Sequence, residues 1–148
     1  MPVRSAISLT AELETYFWDE QGGGYYFTPY DGETLIARQK EIYDGAIPSG
    51  NSIAMLNLLR LGRITADATY EARAYQLSQA FRGTIEMNPT AYSQLMSGLE
   101  FGVGNSYEVI IVGEDGADDT AAMLDALQTV YVPNKVVLLR GFDDDAPL

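Results

Sequence analysis

Apolar residues recur at helical spacing in four stretches of the chain. The first covers residues 5–20, and the three glycines at 22–24 predict where it ends, because glycine tolerates the left-handed geometry of a helix stop. Residues 53–64 are apolar on almost every side, which predicts an inner helix that is buried on most of its surface. Residues 67–87 carry one apolar stripe, which predicts an outer helix with a solvent-facing side and Asp67 as its N-cap. The stripe consists of Tyr70, Ala74, Leu77, Phe81 and Ile85.

A fourth helix is predicted to open at Asn88-Pro89, because proline is favoured at the first helical position. Its apolar face is predicted to consist of Tyr92, Leu95, Met96 and Leu99.

Strand patterns occur in two places. Residues 24–38 are predicted to form a β-hairpin, with Asp31-Gly32 in the tight turn and Pro29 marking an edge. The apolar run at 107–113 is typical of a strand buried on both faces, and residues 133–139 are predicted to form a turn and a second buried strand. Residues 117–131 between them are predicted to be helical. Together they predict a right-handed βαβ unit. The inward face of this helix is expected to consist of Met123, Leu124, Leu127 and Val130.

This order of elements predicts a mainly α fold with a β-hairpin near 24–38 and a C-terminal βαβ unit. Alternating inner and outer helices indicate part of an α/α toroid of the six-hairpin kind. We predict that residues 1–104 form the partial toroid and that the βαβ unit at 105–148 packs on it or is inserted into it. So few helices do not close a ring, and two parallel strands make a poor sheet. A fragment, or a chain completed by association with another copy, is therefore expected.

Composition narrows the chemistry. The chain has 21 acidic and nine basic residues, and this net charge of −12 disfavours binding to nucleic acid or to anionic membranes. Cysteine and histidine are both absent, which excludes disulfides, thiolate nucleophiles, the usual zinc sites and imidazole bases. No metal or cofactor is predicted. The acidic loop at 112–119 is interpreted as a solvated crossover, with a weak cation site as the alternative. No apolar run suits a membrane span or a signal peptide, so a cytoplasmic location is expected.

Three long strings carry a resemblance to a known family. They are "FWDEQGGGYYFT", "RQKEIYDGAIPSGNSIAMLNLLRL" and "EVIIVGEDGADDTAAMLDALQTVYVPNKVVLL". They resemble the C-terminal part of the YyaL-like and spermatogenesis-associated protein 20-like proteins, over about residues 10–140. That family joins a thioredoxin-like domain to a toroid similar to N-acylglucosamine 2-epimerases. The resemblance implies that the thioredoxin-like domain and the first part of the toroid are absent from this chain. The epimerases use histidines, so an epimerase activity is not transferred.

In such toroids, the starts of inner helices and the hairpins line the mouth of a central cleft. This makes Glu41 and Asp44 a candidate catalytic acid/base pair of the kind that glycoside hydrolases use. Ser49 is a further candidate, and Tyr26 is an additional ring on which a sugar could stack. The predicted substrate-binding residues are Trp18, Tyr25, Arg38, Lys40, Tyr43, Asn51 and Ser52.

Structural roles compete with each of these assignments. Ser49 or Asn51 can cap the following helix, Asp44 can bind backbone amides, and Glu41 can pair with Lys40 or Arg38. Two functional hypotheses therefore stay open. One is a hydrolase or isomerase that acts on a small carbohydrate through carboxylates. The other is a non-catalytic scaffold or interaction module that serves the thioredoxin-like domain. Another copy, or the remaining domains of a parent chain, are the expected protein partners.

Overall fold

The computed structural model describes residues 2–33 and 36–142, which are mainly helical with one two-stranded parallel sheet. The helices are α1 (Pro2–Phe17), α2 (Gly50–Thr65), α3 (Ala68–Met87), a 3₁₀ turn (Pro89–Ala91), α4 (Ser93–Val103) and α5 (Asp118–Gln128). The strands are β1 (Tyr107–Val112) and β2 (Lys135–Arg140). The predicted helical class and the βαβ order are confirmed. The acidic sequence of residues 143–145 is typical of a frayed tail, and these residues lie outside the described part of the chain.

Helix α2 is the inner helix of the core, as its apolar sequence predicts. It packs against both α3 and α4, and Leu58 on its buried side is 1% exposed. The predicted stripe of α3 turns toward it, with Ala74 and Leu77 fully buried, and Phe101 of α4 closes the other side. Burying a leucine or phenylalanine side chain in this way stabilises the fold by about 1.5–3 kcal/mol. Closure into a toroid remains a prediction.

The predicted β-hairpin is wrong in the residues that the structure describes. Between residues 24 and 38 these show no strand, and a single antiparallel bridge joins Trp18 to Tyr25. The N–H of Phe27 also donates to the carbonyl of Gln39. Gly32 lacks the positive φ angle that the predicted tight turn requires.

The backbone of this segment pairs with the end of α1 instead. The N–H of Tyr26 donates to the carbonyl of Phe17, and the N–H of Tyr30 donates to the carbonyl of Tyr16, both at 2.8 Å. Gly24 permits this return with a φ of 77°, and a Cβ placed there would lie 2.8 Å from the Phe81 ring. A hairpin would use the N–H groups of Tyr26 and Tyr30 between its own strands, but these groups are bonded to the end of α1.

The fourth predicted helix begins later than its proline suggests. Pro89 starts only a 3₁₀ turn, and α4 begins at Ser93 after Tyr92, whose φ of −132° and ψ of 48° are not helical. The predicted inward position of Met96 is also wrong, since this side chain is 39% exposed. The break leaves the first N–H groups of α4 in need of partners from elsewhere.

Strands β1 and β2 are parallel, in a register that runs from Tyr107 opposite Lys135 to Val112 opposite Arg140. Val136 joins the buried cluster of the helices, so the βαβ unit packs on the helical part. The division of the chain at 104/105 remains a prediction.

The expected burial of the βαβ unit on both faces is wrong. In β1, Ile110 is 45% and Val112 57% exposed, and both Met123 of α5 and Val130, which follows the end of α5, are mostly exposed. The cause is the small extent of the unit, because two strands and one short helix offer too little surface to cover these side chains.

Candidate functional site

Most of the predicted site residues lie in one segment, residues 38–52, which joins the end of α1 to the starts of α2 and α4. Within this segment, the Asp44 carboxylate contacts backbone amides in two separate parts of the chain. Its Oδ1 atom accepts the N–H of Ser49 at 2.9 Å, and its Oδ2 atom accepts the N–H groups of Gln94 at 2.9 Å and Leu95 at 3.1 Å. Both carboxylate oxygens therefore accept hydrogen bonds from backbone amides. This is the structural role that the sequence offered for Asp44 as an alternative to catalysis.

These contacts make Asp44 the cap of a helix that lies 50 residues away in sequence. Tyr92 precedes α4 and offers no side-chain cap of its own. A carboxylate beside a helix N-terminus satisfies otherwise unpaired N–H groups and is attracted by the positive end of the helix dipole. The N–H of Asp44 in turn donates to the carbonyl of Ala91, which fixes the segment against the 3₁₀ turn.

The start of α2 has a local cap, and Ser49 supplies it. The Ser49 hydroxyl accepts the N–H of Ser52 at 3.1 Å, and the two hydroxyls lie 2.9 Å apart. Ser52 is fully buried, so this predicted substrate-binding residue presents no surface. Of the two candidate caps, Ser49 is the one that forms.

Asn51 bridges two separate loops from a buried position at the start of α2. Its Oδ1 atom accepts the N–H of Tyr25 at 2.7 Å, and its Nδ2 atom donates to the carbonyls of Tyr25 at 2.9 Å and Glu41 at 2.8 Å. An amide is suited to this position because it carries both a donor and an acceptor. The side chain thereby holds the loop after α1 against the 38–52 segment.

The two predicted cations are directed at the loop after α1. Arg38 donates to the carbonyls of Thr28 and Tyr16 and lies 4.0 Å from the centre of the Tyr26 ring. Lys40 donates to the carbonyl of Gly23 at 2.6 Å.

The carboxylate that pairs with Lys40 is Asp19, at 2.5 Å, and not Glu41. The hydrogen bond from Lys40, assisted by backbone N–H groups, holds the pKa of Asp19 well below its usual range. The phenol of Tyr26 also donates to Asp19, and that bond raises the pKa of Tyr26.

The predicted stacking residues Trp18 and Tyr25 form a buried edge-to-face pair with ring centres 4.9 Å apart. Arg73 of α3 lies 4.3 Å from the centre of the Trp18 ring and pairs with Glu14 at 2.8 Å. Glu14 also accepts the Tyr25 hydroxyl. Burial, followed by the hydrogen bond to Glu14, raises the pKa of Tyr25. Sequence reasoning missed Glu14 and Arg73, because their spacing only marks solvent-facing positions on two different helices.

One cavity lies beside these residues, with a volume of about 210 Å³. Its wall includes Phe17, Tyr25, Tyr26 and Phe27, together with Asn51 and Glu41. Glu41 is exposed, and so is Tyr43. The structure therefore brings Glu41, Tyr25 and Asn51 together around one cavity. Asp44, Trp18, Arg38 and Lys40 are not among its lining residues.

No protein-family model matches the chain. It is 34% identical to human "Spermatogenesis-associated protein 20" over 139 residues, which is 93% of this chain and 18% of the human protein. The mouse protein of the same name is also 34% identical over the same shares. Nearly the whole chain is therefore similar to one part of spermatogenesis-associated protein 20. A Caenorhabditis elegans relative, "Uncharacterized protein B0495.5", is 29% identical over 97% of this chain and 19% of its own length.

The chain spans less than one fifth of the length of the curated relatives that it matches. Their names state no reaction, substrate or cofactor. The thioredoxin-like domain and the toroid that the resemblance implies remain predictions for the larger proteins.

Two further observations bear on the predicted chemistry. Within residues 2–33 and 36–142 the structure places no three acidic side chains where they could hold a metal ion. Among the helices of this same part, none combines the length and apolar character needed to cross a membrane. The cytoplasmic location stays a prediction.

The Asp19–Lys40 pair gives a pH-dependent prediction. We expect Asp19→Asn to lower the free energy of unfolding by about 1–2 kcal/mol at pH 7, because it removes a charged hydrogen bond. The folded-state pKa of Asp19 lies below the ordinary value of 3.8, so this stabilisation is complete well above that pH and decreases as the pH falls below it. Urea unfolding at pH 7 and at pH 2–3 measures the difference. Asp31→Asn, at an exposed position, is the control. A difference that is unchanged in acid would contradict the assignment.

Proposed function

We propose that this chain is a non-catalytic scaffold element of a larger protein, in which the 38–52 segment fixes α1, α2 and α4 relative to one another. The observation that carries this proposal is the Asp44 carboxylate, whose two oxygens accept three backbone N–H groups. A catalytic acid or base must exchange protons with a substrate within hydrogen-bond reach. Asp44 would have to release the start of α4 to do so.

Other predicted binding residues support the same conclusion. Asn51 uses its amide on three backbone groups, and Arg38 and Lys40 donate to carbonyls of the loop after α1. Polar side chains that form hydrogen bonds with backbone groups hold loops in place, and few of their donors and acceptors stay free for a ligand. In a full-length relative, such a scaffold would support the remainder of the protein, including the thioredoxin-like domain that the resemblance implies.

A carbohydrate-type ligand is the second candidate function, and the cavity beside Glu41 is the observation that favours it. Aromatic rings next to a carboxylate suit the apolar face and the hydroxyls of a sugar. Glu41 is the only member of the predicted acid/base pair on the cavity wall. Binding through Glu41 is therefore better supported than a reaction through both carboxylates.

An NMR titration with a panel of monosaccharides and disaccharides separates the two functions. The scaffold proposal expects no saturable shifts of the Tyr25, Glu41 and Asn51 amides, and an unchanged melting temperature for Glu41→Gln. Saturable shifts at these amides that Glu41→Gln abolishes would overturn it in favour of a sugar site. Glu12→Gln, at an exposed position of α1, is the matched control for the change of charge.

A further inference from the structure

We propose that the outer edge of β1 binds an extended, basic polypeptide segment as a third strand of the sheet. The term "β1 edge" is used for the side of Glu108, Ile110 and Val112 that faces away from β2. This inference goes beyond the scaffold role, because the residues involved are separate from the 38–52 segment. Its failure would leave the role of Asp44 unchanged.

The hydrogen-bond pattern identifies the backbone groups at this edge. At one end of the strand, the N–H of Tyr107 donates to the carbonyl of Asn134, and just beyond the other end the N–H of Gly113 donates to the carbonyl of Arg140. Successive N–H groups of a strand point to opposite sides. The odd-numbered N–H groups therefore face β2, and those of Glu108, Ile110 and Val112 face outward.

The exposure of the two strands agrees with an open edge at β1. Four of the six residues of β1 are exposed, whereas every residue of β2 is buried or half-buried. Natural sheets usually protect an edge with charged side chains, proline or a bulge, and of these β1 contains only the charge of Glu108. A third strand would pair the outward amides and cover Ile110 and Val112. Strand addition of this kind is a common mode of peptide recognition.

Charge determines which partner suits this edge. Glu108 lies on the strand, and Glu114 and Asp115 follow directly after it. Glu108 contacts Arg63 at 3.6 Å, whereas the ion pairs of the described residues assign no cation to Glu114 or Asp115. A segment with lysine or arginine beside its apolar residues complements these carboxylates. A second copy of this chain would bring the same carboxylates and a net charge of −12 against them.

Amide hydrogen exchange, measured by NMR on the full chain, tests this inference. The probe is a synthetic seven-residue peptide of alternating valine and threonine with lysine at both ends, and the control peptide carries glutamate at those ends. We expect the lysine peptide to slow exchange at Glu108, Ile110 and Val112 by about tenfold, since new strand bonds protect these amides. The glutamate peptide should have no effect.

Two variants locate the effect. Val112→Pro removes an outward N–H without touching the bonds to β2, and it should abolish the protection that Val112→Thr retains. Retained protection of the odd-numbered β1 amides shows that the proline variant is folded. The double variant Glu114→Lys, Asp115→Lys leaves the strand intact and should weaken binding of the lysine peptide.

Three results would overturn the inference. The first is the absence of protection by a saturating concentration of the lysine peptide. The second is equal protection by both peptides. The third is protection of the same amides that rises with protein concentration alone, which would identify a second copy as the occupant of the edge.

Discussion

Replacing Asn51 by alanine is expected to lower the free energy of unfolding by about 3–4 kcal/mol. The substitution removes one acceptor and one donor group and leaves the N–H and carbonyl of Tyr25, together with the carbonyl of Glu41, without their partner. Tyr25 is 3% exposed, so water does not readily replace the lost bonds. Chemical denaturation monitored by circular dichroism measures the change.

The same helix supplies the control for this experiment. Asn57 is exposed on α2, and Asn57→Ala should change the stability by no more than about 0.5 kcal/mol. Asn51→Asp should also destabilise the fold, because its carboxylate keeps the acceptor for Tyr25 but faces two carbonyls that need a donor. Equal effects of Asn51→Ala and Asn57→Ala would remove the bridging role assigned to Asn51.

Asp44→Ala is expected to cost about 2–3 kcal/mol, because it leaves three partly buried N–H groups unbonded and removes the charge at the start of α4. Asp44→Asn should cost less, since one oxygen stays available as an acceptor. Asp31→Ala, at an exposed position, is the control and should be nearly neutral. Thermal and urea unfolding of the three variants measure the order. Asp44→Ala as stable as Asp31→Ala would contradict the capping role.

Local pattern was enough to predict the helical part of the fold. Residues 53–64 are apolar on all sides and residues 67–87 carry one apolar stripe. These patterns predict how much of each helix is buried, without identifying the residues that cover it. Asp67 and Ser49 also cap as local rules predict, because a capping side chain bonds an amide two or three residues further on.

Contacts between distant residues were not predictable in this way. Aromatic and β-branched residues at 25–38 indicate an extended chain, but they do not identify the segment with which it forms hydrogen bonds. In the structure, the end of α1 takes the place of a second strand. Glu14 and Arg73 are ordinary charged positions until two helices bring them together. The apolar run of β1 likewise predicts a strand without saying how much of it the rest of the chain covers.

For the candidate site, the sequence pointed to the 38–52 segment and left the role of its residues open. Asp44 was marked both as a catalytic carboxylate and as a binder of backbone amides, and only the folded chain shows which amides lie beside it. Its partners Gln94 and Leu95 are 50 and 51 residues away, a separation at which spacing carries no information.

Amide hydrogen exchange at Ser49, Gln94 and Leu95 tests the structural role of Asp44 most directly. Helix N-termini normally exchange fast, because their first N–H groups lack intrahelical partners. We predict that these three amides are protected in the wild-type chain. In Asp44→Ala they should exchange faster, by about tenfold or more, whereas α3 keeps its protection. Fast exchange at Gln94 and Leu95 in the wild-type chain would contradict the capping role of Asp44. Its carboxylate would then be free to bind other groups.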